Sequence, residues 1–241
     1  MAIEHQVERA KLSAASEACN LLKQTLKRRS VIGVGTGSTV KKFIDVCHDF
    51  LREHLLVASS PDTALYLKDR YRISVFEVLT VDEVDVYVDG ADEVSSKLDL
   101  VKGRGGALLR EKTLAYMSQT RIYIVDYTKF TGVDYLYAKL IPVEVVPFAF
   151  KYVAKAIARL GSFQPILREG GGKDGPVVTD NGNYILDLKP LAPIYEPAKV
   201  HQKLKNLHGV VETGVFPAEE LVDMVVVGYA DKALILRRGG A

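Results

Sequence analysis

Short apolar runs alternating with helix-patterned stretches as far as Asp126 predict an α/β chain. Its expected core is a doubly wound, mostly parallel Rossmann-like sheet. A second observation adds a smaller body. From about Lys139 the rhythm becomes β-α-β-β-α-β, the order of an α+β ferredoxin-like domain. A third closes the chain: MVVVGYA and KALILRR read as an antiparallel pair that returns to the first sheet. The expected domains are therefore 1–131 plus 217–241, Rossmann-like, and 132–216, ferredoxin-like.

The elements follow in order. Ile3, Val7, Ala10, Ala14, Ala18 and Leu21 recur at helical spacing, with Glu4 and Glu8 early and Lys27 to Arg29 late, as the helix dipole favours. SVIGVG is a strand leading into a helix through Phe43 and Ile44, and LLVA is a strand leading into the helix PDTALYLKDR. SVFEV and VDVYVDG read as strands, ALLREKTLAYMSQ as a helix and RIYIVD as a strand. In the second domain KLIPVEVVP, FQPILR and GVVETGVF read as strands, with FAFKYVAKAIARL and PAKVHQKLKNL as helices. VVTDNGNYILDL carries Asn181-Gly182, a strong hairpin signal because both central residues of the favoured turn need positive φ.

Composition excludes more than it selects. Of 241 residues, 48% are hydrophobic, enough for a packed core and against disorder. Thirty-two basic against 30 acidic side chains leave a net charge of +2, without the clustered basic face that nucleic acid requires. No apolar run is long enough to span a membrane, and the start MAIEHQVERA fits neither a secretory signal nor a transit peptide. The five histidines form no cluster at ligand spacing, so no metal site is expected. Cys19 and Cys47 are too few for a disulfide framework and read as ordinary buried thiols of a reducing compartment, with a cytoplasmic location expected.

Four segments carry chemistry. Gly33-Val-Gly-Thr-Gly-Ser-Thr39 follows a strand and opens a helix, where N–H groups and hydroxyls suit a phosphate or carboxylate. It is not a dinucleotide fingerprint, since the third glycine falls on Ser38 or Val40, and no Gly-Lys-Ser/Thr follows to make a Walker loop. The plain alternative is a tight turn with a hydroxyl cap. Asp89-Gly90-Ala91-Asp92-Glu93 stands at the C-terminal end of a strand, the edge where open sheets bind ligands. Its alternative is a polar turn. Lys102-Gly103-Arg104-Gly105-Gly106 combines glycine N–H groups with positive charge, as an oxyanion site needs. Glu111 follows on a helix, either facing that site or forming part of a solvated Glu/Lys surface. Lys129, in Asp126-Tyr-Thr-Lys129, is a candidate anion contact at another strand end or an ordinary surface lysine.

Taken together, GVGTGST, VASSPDTA, YVDGADEV, KGRGGALLREK and DYTK resemble ribose-5-phosphate isomerase of the A type, in order and spacing, and VEVVPFA and VVTDNGNYILD extend the match. The resemblance implies interconversion of D-ribose 5-phosphate and D-ribulose 5-phosphate in the pentose phosphate pathway. It implies no metal or organic cofactor, and a homodimer or a pair of dimers. Position by position, it makes Glu111 the catalytic base and Thr36, Gly37, Ser38 and Thr39 the substrate loop. Asp89, Gly90, Ala91 and Asp92 become the acidic loop, Lys102, Gly103, Arg104 and Gly105 the glycine loop, and Lys129 a further substrate contact. Arg104 stands where the family has glycine, either adding charge beside the substrate or pointing outward. Ala58 stands where a Ser or Thr often precedes the Ser-Ser pair.

The chemistry agrees. Moving a carbonyl between C1 and C2 needs one base over that bond and fixed donors for a cis-enediolate. A free glutamate titrates near about 4.3, and burial raises it towards the operating pH. Lys102 and the glycine-loop N–H groups are the expected donors, Asp89 and Asp92 handle hydroxyls or ring opening, and phosphate is expected against Ser38, Thr39 and Lys129. Two other classes are weighed. A sugar-phosphate sensor of transcription regulators would carry a helix-turn-helix, whereas a single helix precedes the first strand. An amino-sugar-phosphate deaminase would need a histidine within these motifs, and none is there; a CoA transferase is the remaining related enzyme.

Overall fold

The computed structural model describes residues 2–170 and 174–239. Met1, 171–173, Gly240 and Ala241, which the expected domain spans include, lie outside the described residues. In chain order the elements are α1 (Ala2–Thr25), β1 (Val31–Val34), α2 (Ser38–Leu51), β2 (Leu55–Ala58), α3 (Pro61–Tyr71), β3 (Val84–Asp89), β4 (Glu93–Val94) and β5 (Leu100–Val101). Then come α4 (Leu108–Met117), β6 (Ser118–Asp126), β7 (Ile141–Val145), α5 (Phe150–Arg159), β8 (Phe163–Leu167), β9 (Tyr184–Pro190) and α6 (Pro197–Lys205). β10 (Val210–Thr213), β11 (Val215–Phe216), α7 (Ala218–Leu221), β12 (Met224–Gly228) and β13 (Ala233–Arg237) complete the chain.

The chain divides into two compact units, 1–91 with 110–130 and 221–241, and 92–109 with 131–220. Residues 92–109, 131 and 217–220 thus group with the second unit, not with the first as the sequence pattern suggests. The reason is β4 and β5, which pair with each other and with β11 in a small sheet that the pattern does not foretell.

The first unit holds a six-stranded sheet of order β13-β12-β6-β3-β1-β2, parallel except for the antiparallel edge β13. The closing pair does return to the first sheet. Alternate strand residues Ile32, Val34, Val86, Val88, Ile122, Ile124 and Val226 meet the apolar stripes of α1 and α2, among them Ala14, Ala18, Leu22, Val40, Phe43 and Ile44. The intervening residues Gly33, Tyr87, Asp89 and Tyr123 belong to the opposite face, because strand side chains alternate. From β1 the chain turns to β2 on one side and then to β3 on the other. The loops after β1 and β3 therefore flank a topological switch point, where parallel sheets open a crevice.

The second unit carries a four-stranded antiparallel sheet of order β10-β7-β9-β8, with α5 joining β7 to β8 and α6 joining β9 to β10. That is the expected β-α-β-β-α-β order. Val143, Val145, Leu186 and Leu188 pack with Val153, Ile157 and Leu204 of the helices in its core. The Asn181-Gly182 turn closes as a hairpin tip, with Thr179 N–H to Asn183 O at 2.8 Å and φ +79° at Gly182, although the leading arm contributes only the bridge Val178–Tyr184.

Three local expectations give way. SVFEV is not a strand. Phe76 N–H reaches Leu56 O at 2.7 Å, but Phe76 is exposed and Val78–Thr80 coil into a 3₁₀ turn. GVVETGVF is broken at Gly214, whose N–H goes to Pro142 O at 2.6 Å and whose carbonyl takes the Lys102 N–H at 2.8 Å, so that β10 and β11 join different sheets. Cys19 and Cys47 are buried as expected but are not thiols. They form a disulfide between α1 and α2, the two helices packed on the same face of the sheet.

Candidate active site

In the first unit the site is built around Asp89, the last residue of β3. It is fully buried, and its carboxylate accepts from Thr36 N–H (3.0 Å), Gly90 N–H (2.7 Å) and the Tyr87 hydroxyl (2.5 Å). Gly35 N–H meets Val88 O at 2.8 Å, so the two loops at the switch point are stitched together. Thr36 then shares its hydroxyl with Ser60 (2.7 Å) and Ser59 (2.9 Å) from the end of β2, while Thr63 donates to Gly35 O at 2.7 Å. Ser60 also caps α3 through Thr63 N–H at 3.2 Å. This network fixes Thr36 and leaves Gly37, Ser38 and Thr39 at the N-terminus of α2. Gly37 is the cap residue and supplies no side chain to that end. Helix N-terminal N–H groups with adjacent hydroxyls suit an anion.

Glu111 lies in the first turns of α4 and is 3% exposed, which removes the solvated-surface alternative; Lys112 beside it is buried as well. Tyr87 and Tyr123 are fully buried on the sheet face opposite α1 and α2. Both phenols are pushed far above their ordinary range, first by complete burial and then by the negative charges of Asp89 and Glu111. The rings meet edge to face at 6.3 Å, and the Tyr123 hydroxyl donates to Leu221 O at 3.0 Å. Asp89 thus stands beside a pair of phenols that stay protonated. Beyond β6, Asp126 accepts from Thr128 N–H at 3.0 Å, and Lys129 N–H donates to Asp126 O at 3.0 Å, leaving Lys129 half-buried on a fixed turn.

In the second unit Asp92 accepts Arg104 N–H at 3.1 Å and faces the Arg104 guanidinium at 3.5 Å. Lys102 is 2% exposed, with its ammonium 5.6 Å from the centre of the Phe216 ring, a cation–π arrangement. The glycine loop closes as a turn from Gly103 O to Gly106 N–H at 3.0 Å. Positive φ falls at Gly103 (+95°) and Gly106 (+87°), not at Arg104. Arginine therefore occupies its place in the turn without the strain of a left-handed backbone. Its side chain is 83% exposed and points outward onto Asp92.

Comparison with known proteins decides the family. Residues 55–232 match the model described as ribose 5-phosphate isomerase A (phosphoriboisomerase A). The chain belongs to this family. A D-ribose-5-phosphate isomerase solved in complex with phospho-erythronic acid is 38% identical, with a TM-score of 0.87 over 96% of this chain and 99% of that one. The ribose 5-phosphate isomerase A of Methanocaldococcus jannaschii is 34% identical (TM-score 0.84, 95% and 99% covered), and that of Neisseria gonorrhoeae 31% (0.85, 98% of each). As a member of the ribose 5-phosphate isomerase A family, the protein is an isomerase.

Several residues of this candidate site escape a reading of the sequence. Tyr87 was findable, since it stands two residues before Asp89 and must share its face of the strand. Ser59, Ser60 and Thr63 carried a cap-and-proline signal but none for Thr36. Glu93, buried, accepts the N–H groups of Tyr137, Ala138 and Lys139 at 2.8–3.0 Å, a bond set no local pattern announces. Among the described residues no group of three or more His, Cys, Asp or Glu is placed to hold a metal ion. Nor is any helix among them long and apolar enough to cross a membrane.

Proposed function

We propose that the protein interconverts D-ribose 5-phosphate and D-ribulose 5-phosphate through a cis-enediolate, with Glu111 as the base. Glu111 takes the C2 proton of the open-chain aldose and returns it to C1, while a proton passes from O2 to O1. Lys102 and the glycine-loop N–H groups of 103–105 offset the charge that gathers on the enediolate oxygen. The phosphate sits against Ser38, Thr39 and the Lys129 ammonium, with Thr36 and Gly37 shaping the loop. Asp89, which accepts from Thr36, Gly90 and Tyr87, keeps the Gly90-Ala91 segment in place, and Asp92, half-buried beside Arg104, handles the sugar hydroxyls and ring opening.

The observation that carries this reading is the burial of the Glu111 carboxylate in the first turn of α4, directly after the glycine loop. A carboxylate out of water is a stronger base than one in water, as proton abstraction beside a carbonyl demands. We further propose that the reaction needs no metal or organic cofactor, that it serves the pentose phosphate pathway in the cytoplasm (a location that rests on the family alone, since the Cys19–Cys47 disulfide removes the argument from reduced thiols), and that the chain works as a homodimer or a pair of dimers.

Glu111→Gln tests the proposal. Turnover of ribose 5-phosphate is expected to fall by about 10²–10⁴-fold, the range general-base catalysis supplies, with solvent deuterium no longer entering C1 of ribulose 5-phosphate. Near wild-type turnover would remove Glu111 from the role. Activity is expected to survive exhaustive chelation, and a strict requirement for a divalent ion would overturn the metal-free mechanism.

A further inference from the structure

Arg168 follows β8 directly, 64 positions beyond Arg104, yet it touches the glycine loop, and with Asp92, Arg104 and Asp187 it lines one cavity of the second unit. Its Nη1 donates to Arg104 O at 2.9 Å and to Gly103 O at 3.3 Å. Its other face is held by Asp187 on β9, through Nε at 2.7 Å and Nη2 at 2.5 Å, a bidentate pair with each side chain about 15% exposed or less. The backbone of Arg168 is pinned too, by its N–H to Ile185 O and by Val177 N–H to its carbonyl, both at 2.9 Å. The guanidinium thus cannot drift, and the loop carbonyls are fixed against a rigid sheet.

A trans peptide carries its carbonyl and the following N–H in opposite directions. Holding Gly103 O turns the Arg104 N–H the other way, and there it is found, on Asp92 Oδ2 at 3.1 Å. Holding Arg104 O by the same rule sends the Gly105 N–H away from Arg168. A guanidinium does this where an ammonium does not, because its rigid fork serves a carboxylate and two carbonyls at once.

We propose that Arg168, braced by Asp187, is a positioning residue for the isomerisation: it sets the direction of the Gly105 N–H as a donor to the enediolate and, through the Gly103–Arg104 peptide, the seat of Asp92. This rests on the proposed reaction, since it assigns the glycine loop its role as donor. Arg168 acts through the loop carbonyls that it holds. A donor that strengthens in the transition state changes kcat, whereas binding of the ground-state sugar phosphate is carried elsewhere.

The test is steady-state kinetics of Arg168→Lys and Asp187→Asn, with inhibition by phospho-erythronic acid, whose carboxylate presents two planar oxygens as a cis-enediolate does. Arg168→Lys is expected to lower kcat at least tenfold with KM for ribose 5-phosphate within twofold, and to weaken inhibition by a similar factor. Asp187→Asn gives a smaller loss of the same kind. Adding guanidinium ion to Arg168→Gly restores part of kcat. Wild-type kcat in Arg168→Lys overturns the proposal, as does a loss shared equally by kcat, KM and melting temperature, which marks a purely structural role. If Arg168→Lys does not fold, Asp187→Asn decides by the same split. Wild-type protein that neither turns over ribose 5-phosphate nor binds phospho-erythronic acid overturns the reaction itself, and the positioning role with it.

Discussion

Gly35 and Asp89 stand so close that a Cβ added to Gly35 would lie 1.9 Å from Asp89 Oδ1. The loop after β1 and the end of β3 therefore share a contact that only glycine allows. Gly35→Ala must push the carboxylate off Thr36, Gly90 and Tyr87 together. Displacement of about an ångström at a site of this kind costs about 10²-fold in kcat/KM, and that loss is expected with ribose 5-phosphate as substrate. Gly37→Ala is the contrast. It has nothing within 4 Å, but φ is +123°, so it is expected to cost about 1–3 kcal/mol of stability through backbone strain. Urea unfolding beside the kinetics separates the two.

Lys129 sits on a turn fixed by its own N–H to Asp126 O and is half-buried at the C-terminal end of β6. Lys129→Met is expected to raise KM for ribose 5-phosphate about tenfold, the cost of one charge-assisted bond, with kcat within twofold. Unchanged KM would take the phosphate away from Lys129.

The parallel sheet was legible because its signals are local: short apolar strands, of which β1 and β2 lead straight into the patterned helices α2 and α3, the latter capped by Ser60. The second sheet was legible for the same reason, down to the Asn181-Gly182 turn. What escaped depends on contacts between segments far apart in the chain. Nothing near Gly214 says that its carbonyl will take the Lys102 N–H and split a strand, and nothing near Arg168 points to a loop 64 positions earlier. Phe76 looked like strand because it is apolar, yet it lies exposed. At Arg104 the sequence left two alternatives; its φ is not positive, and its exposed side chain rests on Asp92.

Cys19 and Cys47 were equally silent, since a separation of 28 residues carries no information about the packing of α1 on α2. Closing a loop of that length removes entropy from the unfolded chain worth about 3–4 kcal/mol in the chain-entropy model. Protein unfolded without reductant is expected to show no free thiol and to weigh two hydrogens less than the reduced chain. Cys19→Ser is expected to lower stability by about that amount while leaving kcat within twofold. Two titratable thiols in unreduced, unfolded protein would dismiss the cross-link.

Alkaline stability tests the tyrosines. Tyr66 is pushed up to about 12, first by burial and then by its bond to Asp45, and Tyr71 is raised by the same causes. Tyr87 and Tyr123 are raised further by burial and by Asp89 and Glu111. A raised phenol pKa means that the unfolded chain loses its proton first. This contribution is therefore complete below the ordinary tyrosine value of about 10 and fades as pH climbs towards the folded values. The urea midpoint is expected to fall steadily above about pH 10. Tyr123→Phe should flatten the fall while lowering stability at neutral pH through the lost bond to Leu221 O. An unchanged slope in that variant would sink the assignment.

Acid stability has its own reporter in Asp223, just before β12. Burial pushes its carboxyl up, but the Arg121 side chain at 2.7 and 3.0 Å and the Arg121 N–H at 2.8 Å outweigh burial, and the net value lies below the ordinary carboxylate range. For a depressed pKa the sign is opposite to that of the tyrosines. The stabilisation is fully present above the unfolded value of about 3.9 and is lost as pH falls through the folded one. Asp223→Asn is expected to cost about 1–2 kcal/mol at neutral pH, discounted for the solvent that reaches the pair. Its unfolding curve should merge with that of the wild type in strong acid, once pH has fallen through the lowered native value and the native carboxyl is protonated as well. A penalty of equal size at both pH values would show that the Arg121–Asp223 pair acts through packing of β6 against β12 and not through its charge.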